Sequence, residues 1–254
     1  MLTEILDKTL GMIIYLFTSL EGWSFNFSLI YVILSIKQNK YAWGFAIISS
    51  ILYGIVCIDY KMYPTAGLQL FFVLSSVYGF IQWSKPKNKA NQTNNPQTKT
   101  DDESWNYTKL SKNAWFLFTS LTILLAGIIS MLLVIFAKVN NNISFYIESF
   151  AAGASLIAQY LLARKCIHNW NFWFAVNIAY VFVNIYQSLY FMAILYGIFV
   201  ILSIQGYISW QNKSKNMLKQ QELKNDDDGL HILNMHQLTQ KDNEEQLIQH
   251  KQMA

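Results

Sequence analysis

The stretch WNFWFAVNIAYVFVNIYQ, from Trp170 to Gln187, is too apolar for a surface helix and yet carries a regular polar pattern. Its tryptophans, amides and tyrosine recur at steps of three and four residues, namely Trp170, Trp173, Asn177, Tyr180, Asn184 and Gln187. That period places all six on one face of a helix, with Phe, Val, Ile and Ala on the other faces. An apolar helix with one uncharged polar stripe predicts a wall of a binding site for a ring compound inside a membrane protein.

The composition of the whole chain supports a membrane protein. Of the 254 residues, 53% are hydrophobic and only 13% are charged, whereas soluble domains carry about a quarter charged residues. Between Leu10 and Ile58 the only charges are those of Glu21, Lys37 and Lys40. We therefore expect an all-α integral membrane protein that has the lipid bilayer as its partner. The net charge of +4 reflects the loops on one membrane face and indicates no nucleic-acid partner.

Apolar runs of about 17 to 25 residues predict seven membrane-spanning helices. They lie at about 22–36, 41–58, 64–83, 114–137, 146–163, 170–187 and 189–210. With them we expect six segments: an amphipathic or partly inserted helix at 1–20, a first three-helix repeat at 21–83, a cytoplasmic polar loop at 84–113, a linking helix at 114–137, a second three-helix repeat at 146–210 and a cytoplasmic polar tail at 211–254.

Basic residues fall in every second connection between these crossings. Lys37 and Lys40 follow the first crossing, several lysines follow the third, Arg164 and Lys165 follow the fifth, and a further lysine pair follows the seventh. The positive-inside rule then predicts an N-terminus outside and a C-terminus inside. An alternative with eight crossings, in which residues 9–20 also span, would need the N-terminus inside, and that segment is short for a span.

The chain repeats itself at one constant offset, which is the separation between Glu21 and Glu148. At the same offset lie the identical pairs Trp43 and Trp170, Tyr53 and Tyr180, Tyr63 and Tyr190, Gly79 and Gly206, and Trp83 and Trp210. Each repeat holds three crossings, and the fourth crossing lies between the repeats. Because three is odd, that extra crossing lets both repeats insert in the same orientation. The result is a parallel 3+1+3 arrangement, as in SWEET-type transporters.

The substrate site is expected where the two repeats differ. In the second repeat, Trp173 and Asn177 stand where the first has Ala46 and Ser50. Asn177 lies about 10 Å along the helix from Trp170 at 1.5 Å per residue, which is near the middle of the membrane. Transporters tend to bind their substrates at that depth. An amide left without a hydrogen-bond partner there costs on the order of several kcal/mol.

The candidate substrate-binding residues of the stripe are Trp170, Trp173, Asn177, Tyr180 and Asn184, and Gln69 of the third crossing could face the same cavity. Trp173 and Tyr180 can stack on a planar ring, and a cationic ring would gain cation–π attraction. Two plainer interpretations remain open. The aromatic belt of membrane proteins accounts for Trp170, and Asn177 or Asn184 alone can be a polar bridge between helices.

The same residues resemble the PnuC family of bacterial vitamin transporters. The sixth crossing has the WxxWxxxN pattern of that family as Trp170, Trp173 and Asn177, and the third is similar to it from Tyr63 to Trp83. The seventh ends in the family-like run from Gln205 to Trp210. The resemblance covers about Glu21 to Trp210 and leaves the polar loop and the tail outside.

The resemblance implies uptake of nicotinamide riboside by facilitated diffusion, in a bacterial cytoplasmic (inner) membrane, with phosphorylation in the cytoplasm trapping the product. It implies that Trp173, Asn177, Gln69 and Tyr196 hold the nicotinamide and the ribose. Members related to PnuC are associated with thiamine or riboflavin, so these vitamins are alternatives. The crossings carry no charged residue at depth, which by itself favours a facilitator over an ion-coupled pump.

A different class of function is a membrane receptor or scaffold that signals through its tail at 212–254. An enzyme is not expected, because the crossings contain no paired carboxylates, HExxH helix, Cys–His pair or GxSxG turn. The two cysteines, Cys57 and Cys166, lack CxxC spacing, so no metal and no cofactor is expected. A homo-oligomer stays open.

Overall fold

The computed structural model describes residues 10–11, 14–60, 63–85, 107–137, 143–190, 192–220 and 223. The chain divides into two compact units, Met1–Trp210 and Gln211–Ala254. Four predicted features lie wholly or largely outside the described residues: most of the entry segment, most of the polar loop at 84–113, the turn at 140–142, and most of the tail at 211–254.

Seven helices account for most of the described residues. They are α1 (Leu20–Ile36), α2 (Ala42–Asp59), α3 (Tyr63–Ser84), α4 (Lys112–Ala137), α5 (Ile143–Ala163), α6 (Asn169–Tyr186) and α7 (Met192–Gln220). The described residues contain no β-strand beyond a single bridge between Thr108 and Cys166. The all-α class is therefore confirmed, and the first six helices begin and end within three residues of their predicted bounds.

The last helix differs from its predicted length. It runs on to Gln220, whereas the apolar pattern predicted an end at Trp210. The reason is that Trp210 ends only the apolar part of the segment. The residues that follow are mostly Lys, Gln, Met and Leu, which are good helix formers, and no Gly or Pro interrupts them before Gln220.

Five of the helices are long and apolar enough to cross a membrane: α2, α3, α4, α5 and α7. Helix α1 is apolar but has only 17 residues. Helix α6 has 18 residues, and its asparagines lower its hydropathy. The number of seven crossings therefore stays a prediction.

Neighbouring helices pack closely through small residues. Helix α1 packs on α2, α2 on α3, α4 on α5, and α5 on α6, and α3 also packs on α5. Between α1 and α2, Ser24 Oγ donates to the Ser49 carbonyl at 2.9 Å. Between α4 and α5, a Cβ at Gly153 would lie 2.9 Å from the Thr122 carbonyl oxygen. Small side chains allow such close approach in membrane helices.

The corners after α1 and α5 have the same backbone conformation. Gln38 and Lys165 occupy equivalent positions of the two repeats, and both adopt the left-handed region, with φ of 63° and 58°. The next residue in each corner, Asn39 or Cys166, donates its N–H to a carbonyl five residues earlier, at 2.9 Å in both cases. These bonds satisfy carbonyls that the end of a helix leaves free, so both corners end their helices in one way.

Candidate functional site

Four tryptophans form a buried layer at the end of the helix bundle that carries the corners after α1 and α5. They are Trp43, Trp83, Trp170 and Trp210, and we call them the tryptophan layer. Trp83 and Trp210 lie 6.1 Å apart between ring centroids. Trp43 meets Trp83 edge-on at 5.2 Å, and Trp170 meets Trp210 edge-on at 5.7 Å. The two halves of the chain thus contribute equivalent pairs of rings.

Two hydrogen bonds cross between the halves in this layer. Trp83 Nε1 donates to the Leu162 carbonyl of α5 at 3.3 Å. Trp210 Nε1 donates to the Ser35 carbonyl of α1 at 3.1 Å. The two donors occupy equivalent positions of the two repeats, and so do the two acceptors. The contact is therefore made twice, once in each direction.

Two glycines allow the other tryptophans to approach their neighbouring helices. A Cβ at Gly79 would lie 2.5 Å from the Trp43 ring, and a Cβ at Gly206 would lie 2.5 Å from the Trp170 ring. Only glycine leaves that space free. The structure therefore places Trp170, a predicted substrate residue, in the tryptophan layer, with 2% of its surface exposed.

Further into the bundle from the tryptophan layer lies a set of buried hydrogen-bonding groups, which we call the amide layer. Its members are Asn177 and Ser203, with Gln159, Tyr31 and Ser76. Asn177 is 8% exposed, and its Nδ2 donates to Ser203 Oγ of α7 at 3.2 Å. Asn177 and Trp170 are seven residues apart on α6, about 10 Å at 1.5 Å per residue. The predicted midpoint amide therefore has a partner on a neighbouring helix.

The second part of the amide layer was not predicted. Gln159 of α5 is 2% exposed. Its Oε1 accepts from the Tyr31 hydroxyl of α1 at 2.9 Å, and its Nε2 donates to Ser76 Oγ of α3 at 3.4 Å. One signal in the sequence could have found it, because Gln159 is an amide in an apolar helix whose counterpart in the first repeat is Val32.

Aromatic rings flank the amide layer on the side away from the tryptophans. Tyr180 of α6 and Tyr196 of α7 stack with ring centroids 4.8 Å apart. Phe199 lies 6.3 Å from Tyr196, and Phe25 of α1 meets Phe199 edge-on at 5.4 Å. Two predicted site residues, Tyr180 and Tyr196, are thus brought together by the fold.

The remaining predicted residues lie around these layers. Trp173 is half-buried and packs both on the tryptophan layer and on Ala154 and Val176 between α5 and α6. Asn184 is 8% exposed, and its Nδ2 donates to the Tyr180 carbonyl within α6 at 2.7 Å. Gln69 is half-buried on α3, with its Cβ close to Gly54 of α2. Gln69 therefore lies in the first repeat, at the position that corresponds to Tyr196.

Charged groups lie at the ends of the bundle. Glu148, near the start of α5, accepts from Gln187 Nε2 at 3.0 Å, at the end of α6. At the opposite end, the corners after α1 and α5 carry Lys37, Arg164 and Lys165. The amide layer between these ends is uncharged. It can hold a polar molecule through hydrogen bonds and ring stacking.

A short segment before α4 crosses the corner end of the bundle. The Tyr107 hydroxyl accepts from Gln38 Nε2, and the Tyr107 ring meets Trp210 at 5.8 Å. Ile167 N donates to the Thr108 carbonyl at 3.1 Å. This segment thereby contacts both the α1–α2 corner and the α5–α6 corner.

His168 anchors the other end of that segment. Its Nδ1 accepts from the Leu110 N–H at 3.0 Å, so the ring must be neutral, with its proton on Nε2. Burial, and to a lesser extent the charge of Lys109, lowers the pKa of His168 from its usual 6.5. Burial also raises the pKa of Tyr107 to about 12. Both groups therefore stay uncharged at neutral pH.

Comparisons with known proteins identify the family of this chain. The family of the nicotinamide mononucleotide transporter matches residues 18–212. The chain is similar to the nicotinamide riboside transporter PnuC of Escherichia coli (strain K12), with 23% identity over 189 residues, which cover 70% of this chain and 78% of that protein. The protein of the same name from Shigella flexneri matches to the same extent.

A solved structure has a similar fold. The crystal structure of the vitamin B3 transporter PnuC aligns with a TM-score of 0.62 and 18% identity, over 82% of this chain and 88% of that one. The expected resemblance to PnuC is therefore confirmed. Because the family match spans residues 18–212, and so most of the chain, this protein belongs to the nicotinamide mononucleotide transporter family, in which it is similar to the PnuC vitamin transporters.

Proposed function

We propose that this chain takes up nicotinamide riboside by facilitated diffusion, with the site opening alternately to the two membrane faces and cytoplasmic phosphorylation trapping the product. The amide layer carries this proposal. It combines buried, uncharged hydrogen-bonding groups with the stacked pair Tyr180 and Tyr196 on one side and the tryptophan layer on the other. A nucleoside with a flat heterocycle and hydroxyl groups needs both kinds of contact.

The charges of the helices favour the riboside over the mononucleotide. The sequences of α1, α2, α3, α5 and α6 contain no Lys or Arg, and neither does the part of α7 from Met192 to Trp210. A buried phosphate needs paired cations, since a charge that is moved out of water without a partner is costly. The proposed site therefore suits an uncharged ribose better than a phosphorylated one.

The repeated contacts support a parallel 3+1+3 arrangement of seven crossings. The bonds from Trp83 to Leu162 and from Trp210 to Ser35 join α3 to α5 and α7 to α1. Such a reciprocal pair is what two three-helix units give when they are related by an axis along the membrane normal. The basic corners near this end favour its placement in the cytoplasm, with the N-terminus outside and the C-terminus inside.

The distribution of carboxylates supports facilitated diffusion. Glu21 and Glu148 are the acidic residues of α1 and α5, and both lie in the first part of their helices, away from the amide layer. Proton relays through a membrane use ionisable side chains at depth. With only neutral groups in the amide layer, transport would follow the electrochemical gradient of the cationic substrate.

Within this proposal the predicted residues take distinct roles. Trp173, Tyr180 and Tyr196 stack on the nicotinamide ring, and Asn177 binds its carboxamide. Gln69 contacts the substrate from the first repeat. Trp170 closes the site towards the cytoplasm. Asn184 lies one turn beyond Tyr180 on the same face of α6, where its bond to the Tyr180 carbonyl stabilises the outer part of that helix.

Uptake into proteoliposomes tests the proposal. With the membrane potential clamped at zero, purified protein should equilibrate radiolabelled nicotinamide riboside across the membrane, show counterflow, and respond to neither a proton nor a sodium gradient. The change Asn177→Ala should abolish this uptake, while Asn171→Ala, an exposed amide on the same helix, should leave it unchanged. If Asn177→Ala leaves uptake of nicotinamide riboside, thiamine and riboflavin intact, the proposed site is wrong.

The receptor alternative is tested by shortening the tail. A variant that ends at residue 211 should keep its uptake if the chain is a transporter. A protein that signals through residues 212–254 should instead lose its output while showing no uptake in either form.

A further inference from the structure

We propose that Gln159 is a second amide of the substrate site, which donates a hydrogen bond to a ribose hydroxyl oxygen and is held in place by Tyr31. The inference rests on the proposed function and adds a specificity-determining residue to it. Gln159 lies outside the polar stripe of α6, on a helix of the second repeat that packs against α3 of the first.

The surroundings of Gln159 fix the direction of its side-chain amide. The Tyr31 hydroxyl donates to Oε1 at 2.9 Å, so the NH2 group must point the other way, towards Ser76. The bond from Nε2 to Ser76 Oγ is long, at 3.4 Å. A typical N–H···O bond is about 2.9–3.0 Å. The firm bond thus orients the amide, and the weak one leaves an N–H donor that a ligand oxygen can take over.

Helix register directs Gln159 and Asn177 towards a common region. Ser76 is seven residues from Trp83, and Ser203 is seven residues from Trp210. Seven residues are nearly two helical turns, so each serine lies on the same face of its helix as the tryptophan below it. Those two tryptophans meet at 6.1 Å.

The two serines are buried, at 0% and 2% exposure, and each accepts a hydrogen bond from one side-chain amide. Ser76 Oγ accepts a hydrogen bond from Gln159 of α5, and Ser203 Oγ accepts one from Asn177 of α6. Helices α5 and α6 are packed neighbours, so the two amides extend from adjacent helices to counterpart serines on α3 and α7. A substrate that lies between α3 and α7 would meet one N–H donor beside each of these two helices.

The asymmetry of Gln159 argues against a purely structural role. The tryptophans and glycines that hold the two halves together occur in both repeats. Gln159 has Val32 as its counterpart, and Tyr31 has Ala158. The bundle therefore closes on the equivalent side without any such pair of polar groups. Polar groups that are added on one side only suit an asymmetric ligand.

The position of the other site residues assigns the ribose to Gln159. Trp173 and Asn177 share a helix and would hold the ring end of the nucleoside. Gln159 bonds to Ser76 of α3, whereas Asn177 bonds to Ser203 of α7, so we assign the sugar end, on the α3 side, to Gln159. Both amides offer N–H donors, and a ribose hydroxyl oxygen can accept one.

The test compares nicotinamide riboside with its 2′,3′-dideoxy analogue in calorimetric binding to the purified full chain. The unmodified protein should prefer the riboside by about tenfold or more, since one hydrogen bond of about 1.4 kcal/mol changes affinity tenfold. Gln159→Leu should bind both nucleosides with equal affinity, because its apolar side chain cannot donate. The control Ser155→Ala, on the same buried face of α5, should keep the preference.

Two further variants keep the inference falsifiable if Gln159→Leu fails to fold. Gln159→Met should also lose the preference. Tyr31→Phe should reduce it severalfold, because the amide is then free to rotate. The inference is overturned if the unmodified protein binds both nucleosides alike, or if these variants weaken binding of both equally, as a structural residue would.

The outcome for Asn177 separates this inference from the proposed function. If Asn177→Ala abolishes binding of the riboside while Gln159→Leu leaves the preference intact, only the role of Gln159 is wrong. If Asn177→Ala changes neither nucleoside, the proposed site itself fails.

Discussion

The two halves of this protein use the same tryptophans but different amides. In the tryptophan layer, Trp43 and Trp83 of the first half make the same contacts as Trp170 and Trp210 of the second. In the amide layer the equivalence ends, since Asn177 stands where the first half has Ser50. Contacts that occur in both halves belong to the scaffold. Contacts that occur in one half are where a chemically asymmetric substrate would be recognised.

The largest expected effect comes from removing the difference between the halves. Asn177→Ser gives the second half the residue of the first, and the shorter hydroxyl should not reach the substrate. We expect uptake to fall roughly 100-fold, through loss of hydrogen bonds in a buried site. The matched control in the first half is Ser50→Ala, which should change uptake less than about twofold. Equal losses in the two variants, measured at matched protein levels, would contradict an asymmetric site.

The next effect should be the same in both halves. Gly79→Ala and Gly206→Ala each place a Cβ 2.5 Å from a tryptophan ring, so the helices must move apart. Such overpacking costs typically about 1–3 kcal/mol. Both variants should lower the melting temperature of the purified protein by similar amounts. A strong effect at only one glycine would mean that the two halves do not share this contact. Gly67→Ala, whose Cβ would meet no atom within 4 Å, is the control.

A smaller and again equal effect is expected for the two reciprocal hydrogen bonds. Trp83→Phe and Trp210→Phe each remove one indole N–H that bonds a carbonyl of the other half. The lost hydrogen bond should cost about 1 kcal/mol in each variant, and the smaller ring adds a packing loss of similar size at both positions. Denaturation followed by circular dichroism would measure it. A clear inequality between the two variants would assign the closure of this end to one half alone.

The smallest expected effect is a pH dependence of stability, and it should arise from the second half only, which carries His168. The folded protein favours neutral His168, because burial and Lys109 lower the pKa of this group from 6.5. The stabilising contribution is complete above the usual pKa and is lost as pH falls below it towards the lowered value. Between pH 7.5 and 5.5 we expect the melting temperature to fall by about 2 °C more than in His168→Gln. A variant with the same pH dependence as the unmodified protein would refute this.

Much of the fold could be predicted from the sequence. Apolar runs located the first six helices to within three residues, because length and hydropathy decide what can be buried in a membrane. The end of α7 was missed because the same pattern reports only the apolar part of a helix. The segment that contacts both corners was also missed. Its pairing of Thr108 with Ile167 joins residues far apart in sequence, which no local pattern encodes.

Periodicity alone does not separate the surroundings of the residues in the polar stripe of α6. Trp170 lies in the tryptophan layer, and Asn184 bonds within its own helix. Asn177 bonds to a neighbouring helix. All three share one face by periodicity, so only the packing of neighbouring helices separates them. Gln159 was overlooked because a single amide on α5 forms no periodic pattern.

The most direct test of the account is a fluorescence titration of the purified protein with nicotinamide riboside, thiamine and riboflavin. Trp173 is one of eight tryptophans, so its signal must be isolated by comparing the unmodified protein with Trp173→Phe. Nicotinamide riboside should quench the unmodified protein in a saturable way, the quench should be largely lost in Trp173→Phe, and the other two vitamins should leave the emission unchanged. Saturable quenching by thiamine or riboflavin alone, or by none of the three, would contradict the account.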